Sequence, residues 1–333
     1  MAEKTLCEQL AETVGAGGSK IVASIFKTLT DEKEARVLLA AAPPATVDEI
    51  SERTGMSVSE VERMMDPLFR KGLLFKSKKK DSTRYYRARH LMQLHDATAV
   101  ANDPPPGMLG LWKQFMETEW GDFTRKLEEL IPGSILRVIP VNVSIDSNTQ
   151  VLAFDDVREL VASSRSLAVT RCSCRVIDGA CGKPLDVCLQ IDRAADYAIE
   201  RGTGRELTKE EALSMLRMCE EEGLVHVSEN KRALGTVICN CCADCCMNWT
   251  SLKSGLGKFC APSRFRASVE ARACNGCEEC LERCFFDALS MGNGGDVAAV
   301  DGGKCMGCGL CQVVCPTDAI TMQVVRPEEF VPA

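Results

Sequence analysis

Two stretches of sequence decide how the C-terminal part of this chain folds: CNGCEECLERC at residues 274–284 and CMGCGLCQVVCP at residues 305–316. Each stretch carries four cysteines at the spacing C-x2-C-x2-C-x3-C. The two-residue gaps let the first three sulfurs of a run converge on one centre, whereas the fourth lies one residue too far along the chain. Similar segments follow the two runs, Phe286–Leu289 and Thr317–Ile320, so the sequence predicts an internal repeat with pseudo-two-fold character.

This spacing resembles that of bacterial-type two-cluster ferredoxins, in which the fourth cysteine of each run ligates the other cluster. The resemblance implies a two-cluster ferredoxin domain at residues 263–325 that holds two [4Fe–4S] clusters and transfers electrons. The ligands that it implies are Cys274, Cys277, Cys280 and Cys315 for cluster 1, and Cys305, Cys308, Cys311 and Cys284 for cluster 2. Phe285 replaces the proline that usually follows the first run, which affects the local turn and not the ligation.

Glycines within the runs fit this interpretation, because Gly276, Gly307 and Gly309 let backbone amides turn toward the cluster. The alternative is a pair of zinc sites. Zinc more commonly uses paired C-x2-C knuckles than two runs of four cysteines, so the spacing favours iron–sulfur clusters.

Cysteine content and charge narrow the class of protein. The 333 residues include 20 cysteines and carry a net charge of −7. The acidic balance argues against a protein that binds nucleic acid or anionic membrane over its whole surface. No signal-peptide-like stretch stands near the start, and no apolar run approaches the roughly 18–20 residues of a membrane span. We therefore expect a cytoplasmic protein whose thiols bind metal rather than form disulfides, as would suit anaerobic metabolism.

Another set of cysteines lies between residues 172 and 260. Two groups of them follow predicted strands, and we expect these groups to meet at one edge of a sheet. In extended backbone, Cys172 and Cys174 point the same way, as do Cys239 and Cys241, whereas Cys242 faces away. The paired motifs resemble those of ferredoxin-like proteins of anaerobes, a resemblance that implies no mechanism.

Our hypothesis for these residues is a third metal centre, either a further Fe–S cluster or zinc. The leading ligands are Cys172, Cys174, Cys181 and Cys188. The additional ligands or redox thiols are Cys239, Cys241, Cys242, Cys245 and Cys246. Cys219 is expected to be a core thiol, and Cys7 and Cys260 free thiols.

The segment from about residue 21 to residue 95 has a helical pattern that ends in a strand pair. Ser57 is placed to cap a helix that runs to about Arg70, and Gly72 ends that helix. The run VDEISERTGM at residues 47–56, with GLL at residues 72–74, resembles the winged-helix domains of small bacterial regulators. The resemblance implies a helix–turn–helix followed by a hairpin.

Charge suggests one use for such a domain. Nine Lys or Arg and one acidic residue lie between Phe69 and His90, so residues 57–90 are a candidate DNA-binding surface. In such a surface, Lys78, Lys79 and Lys80 would contact phosphates. Ser59 and Arg63 would contact the bases. Glu60 and Glu62 on the presumed recognition helix argue against DNA binding, because their carboxylates would face the phosphates. Winged helices also serve as modules that dock proteins.

The sequence thus predicts an α+β protein in three parts: a winged-helix-like domain, a mixed cysteine-rich central domain and a two-cluster ferredoxin fold. The expected segments are an N-terminal segment at residues 1–20, the winged-helix-like domain at 21–95, a proline-rich linker at 96–107, the central domain at 108–262 and the ferredoxin domain at 263–325.

The predicted function is the transfer of single electrons between a reductase and a redox enzyme. The electrons would pass through two clusters, or through three if the third centre is also an Fe–S cluster. Both protein partners are unidentified. One alternative is a redox-sensing transcriptional regulator that uses the winged-helix domain. Another is a reductase or activase with its site at the central cysteines. None of the three histidines, His90, His95 and His226, stands in a catalytic-looking triad.

Overall fold

The chain contains both helices and strands, in agreement with the predicted α+β class. The computed structural model describes residues 3–79, 82–142, 145, 150–249, 258–292 and 294–333, with only the backbone of Lys79. By their contacts, these residues form two compact units. Unit 1 comprises Met1–Phe123, Ser173–Gly179 and Glu200–Thr203, and unit 2 comprises Thr124–Cys172, Ala180–Ile199 and Gly204–Ala333. Residues on both sides of the boundary expected at residue 262 belong to unit 2.

Unit 1 consists of helices and one hairpin. Its elements are α1 (Leu6–Thr13), α2 (Lys20–Leu29), α3 (Glu32–Ala40), α4 (Val47–Thr54), α5 (Val58–Arg70), β1 (Leu74–Lys79), β2 (Ser82–Arg87), α6 (Leu91–Ala99), α7 (Met108–Thr118), the start of α8 (Trp120–Leu130) and α10 (Ser173–Asp178). The expected linker at 96–107 therefore begins inside α6.

Local signals explain where several of these helices begin and end. Ser57 caps α5 through a capping box with Glu60, as its position in the sequence predicts. Gly72 follows α5 with a φ of 80°, and a Cβ there would come 2.5 Å from the Ala97 carbonyl oxygen, so the position requires glycine.

Unit 2 contains most of the strands. Its elements are the rest of α8, β3 (Leu136–Ile139), α9 (Val157–Ser163), β4 (Leu167–Arg171), β5 (Asp186–Ile191), most of α11 (Arg193–Arg201), β6 (Gly204–Glu206), α12 (Lys209–Glu221), β7 (Val225–Glu229), β8 (Val237–Cys241), β9 (Cys260–Ala261), β10 (Phe265–Val269), α13 (Glu279–Arg283), β11 (Leu289–Met291), β12 (Ala298–Val300), α14 (Leu310–Val313) and β13 (Ile320–Val324).

A seven-stranded sheet organises the central part of unit 2, in the order β6-β4-β5-β8-β7-β3-β9. Both β4 and β8 pair antiparallel with β5. The end of β4, the start of β5 and the end of β8 therefore lie at the same end of the sheet. One apolar cluster, which includes Leu189, Leu216 and Ile238, packs α9 and α12 against it.

A buried hydrogen-bond network ties neighbouring strands together near that end. The Nδ1 atom of His226 lies 2.6 Å from the Oδ1 atom of Asn240, and its Nε2 atom lies 3.2 Å from Glu220. Asn240 also donates to the Val187 carbonyl oxygen at 2.5 Å. His226 is fully buried in this network, consistent with the packed role expected for it.

Two small antiparallel sheets complete unit 2, one of β10 with β13 and one of β11 with β12. Across the described residues, no helix combines the length and apolar character that a membrane span requires.

Candidate metal centres

Strand pairing brings the first cysteine of one run to the last cysteine of the other. β10 and β13 are antiparallel, with Val269 opposite Ile320. Cys274 lies shortly after the end of β10, and Cys315 lies shortly before the start of β13. Because antiparallel pairing places the end of one strand beside the start of the other, these two cysteines lie at the same end of the sheet.

The sheet of β11 and β12 brings Cys284 and Cys305 together in the same way. Leu289, at the start of β11, lies opposite Val300, at the end of β12. Cys284 precedes β11 and Cys305 follows β12, so these two cysteines also meet at one end. The pairing of the four short strands thus places the fourth cysteine of each run near the first cysteine of the other run.

Each group of four cysteines lines its own cavity. Cys274, Cys277, Cys280 and Cys315 line one. Cys284, Cys305, Cys308 and Cys311 line the other, together with Phe285, Phe286, Met306 and Leu310. These are the two ligand sets implied by the spacing.

Backbone conformation repeats between the two runs. Gly276 and Gly307 occupy equivalent positions, and both have a φ of 69°. Asp287 and Asp318, which follow the two runs, have φ values of 52° and 51°. A Cβ at Gly307 would overlap the Phe265 carbonyl oxygen, and one at Gly276 would come 2.9 Å from that of Asp296. The glycines therefore let the two cysteine loops pass close to neighbouring backbone.

The chemistry of the buried thiols fits a cationic cluster. Burial raises the pKa of the Cys308 thiol to about 12 and also raises the pKa values of Cys280 and Cys311. The thiolate is the form that ligates metal, and an isolated buried thiolate is unfavourable. Iron at the centre of each cavity would supply the positive charge that stabilises four converging thiolates, so the donor set fits the cofactor.

Cys315 differs from these thiols. Partial burial acts to raise its pKa, but hydrogen bonds from Thr317, through its backbone and side chain, and from the backbone of Ala319 and Ile320 lower it overall. The Cys315 Sγ atom lies 3.8 Å from the Thr317 Oγ1 atom. Such hydrogen bonds favour the thiolate and tune the potential of a bound cluster.

Comparison with family models places this region in a known class. Residues 267–322 match the model of the 4Fe-4S dicluster domain. The match covers both cysteine runs and supports iron–sulfur clusters and an iron–sulfur electron-transfer role. Neither the curated proteins nor the solved structures gave a match to the chain.

The central cysteines separate into two groups on opposite sides of the sheet. Cys239 and Cys241 pair with Val227 and Val225 and share their apolar cluster, which also includes Cys246. Cys242 belongs to a different cluster, with Cys245 and Val187. Strand alternation predicts this division between Cys241 and Cys242.

One group of thiols converges at the end of the sheet defined by β4, β5 and β8. The Sγ atoms of Cys181, Cys242 and Cys245 all lie within 4.8 Å of one another. Cys181 precedes β5 and the other two follow β8, so the antiparallel pairing of these strands explains the meeting. Cys172, just after β4, packs against the same apolar cluster.

The other group lies beside the second ferredoxin-type cavity. Cys241 is hydrogen-bonded to Cys239 and Cys246, and these bonds, with burial, raise its pKa. Cys260, expected to be a free thiol, belongs to the same apolar cluster and is buried. Cys308, Phe285 and Phe286 pack against that cluster. The burial of Cys260 could not be read from the sequence, because only the pairing of β9 with β3 brings it there.

Three further cysteines lie elsewhere on the elements of the fold, and one of them, Cys219, belongs to the same apolar cluster as Cys242 and Cys245. Cys188 lies on β5, where Gln190 donates to its sulfur at 3.1 Å. Cys174 lies on α10 of unit 1, so the extended backbone expected from Cys172 to Cys174 is wrong: a helix begins at Ser173. Cys219 is fully buried in the core, as expected.

The candidate DNA-binding surface of unit 1 carries internal ion pairs. Glu200 binds Lys76 at 2.7 Å and Lys78 at 3.1 Å. The Arg63 Nε atom donates to the Ser59 carbonyl oxygen of its own helix at 3.1 Å. The other predicted phosphate contacts, the Lys79 side chain and Lys80, lie outside the described residues.

Proposed function

We propose that the chain is an electron-transfer protein whose two cavities each hold a [4Fe–4S] cluster. Cys274, Cys277, Cys280 and Cys315 would hold one, and Cys284, Cys305, Cys308 and Cys311 the other. When bound, each cluster would take up and release one electron at a time. The observation that carries the proposal is that the two cysteine quartets implied by the spacing line two separate cavities.

The protein's own part would be to hold the clusters and set their environment. Apolar side chains such as Phe286 and Met306 exclude water from one cavity. Hydrogen bonds to the Cys315 sulfur would adjust the potential of the cluster in the other cavity. The partners would be a redox donor and a redox acceptor, and the net charge of −7 favours docking to a basic surface.

Iron and acid-labile sulfide analysis of the full chain, purified without oxygen, tests this proposal. We expect about eight irons per chain, because two [4Fe–4S] clusters contain that number. Reduction should give the EPR signal of two interacting clusters. Cys311→Ser should disturb one cluster, whereas the matched control Cys7→Ser should leave both. Binding of zinc without iron would refute the proposal.

We further propose that residues 21–95 form a winged-helix-like module that docks a protein partner. Support comes from α4, α5 and the hairpin of β1 with β2, and from Gly55, which joins the helices with a φ of 71°. The pairing of Lys76 and Lys78 with Glu200 reduces the positive charge offered to DNA, which favours docking over the regulator alternative. Salt-sensitive binding of promoter DNA, altered by cluster oxidation, would restore that alternative.

A second candidate function is a reductase that stores electrons in the thiols of β8 and of the segment that follows it. The hydrogen bonds of Cys241 to Cys239 and Cys246, beside a cluster cavity, favour it. Oxidation would join the sulfurs of Cys241 and Cys246 in a disulfide and release two electrons and two protons; reduction would reverse this.

Counting alkylated thiols in the denatured chain, after anaerobic treatment with the thiol oxidant diamide, tests the reductase candidate. It predicts the loss of two reactive thiols, both restored by dithionite, and no such loss in Cys246→Ser. An unchanged thiol count in the unsubstituted protein would eliminate this candidate and leave the electron-transfer proposal intact.

A further inference from the structure

We propose that Cys181, Cys242 and Cys245 bind a single zinc ion, in a site distinct from the two cluster cavities. The three sulfurs come from two separate loops at one end of the seven-stranded sheet. Of these three, Cys181 belongs to the quartet expected from the sequence, and Cys242 and Cys245 were expected as additional ligands. It stands independently of the proposed electron transfer.

Burial gives the first reason to expect a metal there. Cys242 and Cys245 are 4 % and 3 % exposed, and Cys181 is partly exposed at the rim. Val187 and Leu224 provide apolar surroundings. Three thiolates gathered in such a place repel one another, and a cation among them removes both the repulsion and the cost of burying their charge.

Distance gives the reason to expect one ion. A tetrahedral zinc with sulfurs at about 2.3 Å separates those sulfurs by roughly 3.8 Å, which agrees with three sulfurs that all lie within 4.8 Å of one another. A cubane spreads its thiolates over four iron corners and holds them farther apart. Among the residues that the structure describes, neither cluster quartet contains three sulfurs as close together as these.

Ligand chemistry then selects the metal. Tetrahedral all-thiolate coordination is typical of structural zinc. We assign the fourth position to Cys172, which follows β4 at the same end of the sheet and packs against the same apolar cluster, although its sulfur is not among those that lie within 4.8 Å of one another. The ion would join the loops that flank β4, β5 and β8.

Such a site would also fix the neighbouring thiols. Cys242 and Cys245 lie directly beside Cys241 and Cys246 in sequence, yet belong to the other apolar cluster. Zinc on one side of this segment would hold the thiols on the other side in place next to the second cluster cavity.

Metal analysis of the full chain, purified without oxygen from medium supplied with iron and zinc, is the central experiment. We expect one zinc per chain in addition to the cluster iron. Cys242→Ser and Cys245→Ser should lose the zinc and retain the iron. Cys188→Ser is the discriminating variant: it should retain zinc, and loss of zinc in this variant would instead support the quartet expected from the sequence and overturn the proposal.

A measurement on the unsubstituted protein tests the zinc site independently if those variants fold poorly. Alkylation with peptide mapping should show Cys172, Cys181, Cys242 and Cys245 protected together and exposed together after a zinc chelator. Cobalt substituted at the site should give intense thiolate-to-cobalt charge-transfer absorption. A content of about twelve irons per chain without zinc would refute the zinc site, and so would a failure of these four thiols to be protected together. The iron count alone decides whether the two-cluster proposal stands.

Discussion

Gly307→Ala offers a sharp test of how the second cavity is built. Gly307 has a φ of 69°, and a Cβ added there would overlap the Phe265 carbonyl oxygen and the Ser263 hydroxyl. Phe265 begins β10, so its carbonyl cannot move without disturbing that strand. The left-handed conformation costs an alanine roughly 1–2 kcal/mol. Overpacking adds about 1–3 kcal/mol.

Gly295→Ala is the matched control. Gly295 lies in the turn between β11 and β12 with a φ of 80°, and a Cβ there would meet no atom within 4 Å. Gly295→Ala therefore incurs the cost of the left-handed conformation without the cost of overpacking. The difference between the two variants, about 1–3 kcal/mol, corresponds to a change of roughly 5- to 150-fold in the population of the opened cluster loop.

The assay is the rate at which iron passes from the anaerobic protein to a ferrous chelator. When opening is fast and reversible, this rate follows the opened population. We expect Gly307→Ala to release iron, first from the cavity lined by Cys308, at least fivefold faster than Gly295→Ala. Equal rates in the two variants would contradict the steric explanation.

Three further outcomes follow from individual contacts. Thr317→Val removes a hydroxyl beside Cys315 and should lower the potential of that cluster by a few tens of mV in a redox titration, with no change in iron content. The pKa of Glu60 is lowered to about 2, mainly by the Lys33 side chain, so this carboxylate should contribute to a loss of stability in unit 1 as pH falls from about 4.5 to about 2; melting curves of Glu60→Gln should show a smaller loss over that range. Glu200→Ala frees the Lys76 ammonium and should lower the thermal midpoint of unit 1 by a few degrees; an unchanged midpoint would show that the ion pair is not stabilising.

Sequence patterns predicted features that depend on a few neighbouring residues. The cap at Ser57 and the division between Cys241 and Cys242 both follow from short-range geometry. The resemblance of the two runs to those of two-cluster ferredoxins implied the quartets that line the cavities.

Features that depend on distant pairing were beyond such reasoning. Cys181 meets Cys242 only because β5 and β8, some fifty residues apart in sequence, lie side by side. The helix that begins at Ser173 replaces an expected extended segment, since alternation of cysteines alone does not distinguish a strand end from a helix start. Cys260 reaches its buried position through a two-residue strand too short to give any periodic signal.

The pairing of β10 with β13 has a consequence for how such a segment can be combined with other proteins. Phe265 and Val324, at the outer ends of these strands, are direct partners, so the chain enters and leaves the dicluster region at one point. A segment with adjacent ends can be inserted into a surface loop of a host without spreading that loop. The two cysteine runs and their strands thus have the adjacent ends that insertion into a host protein as a single segment requires.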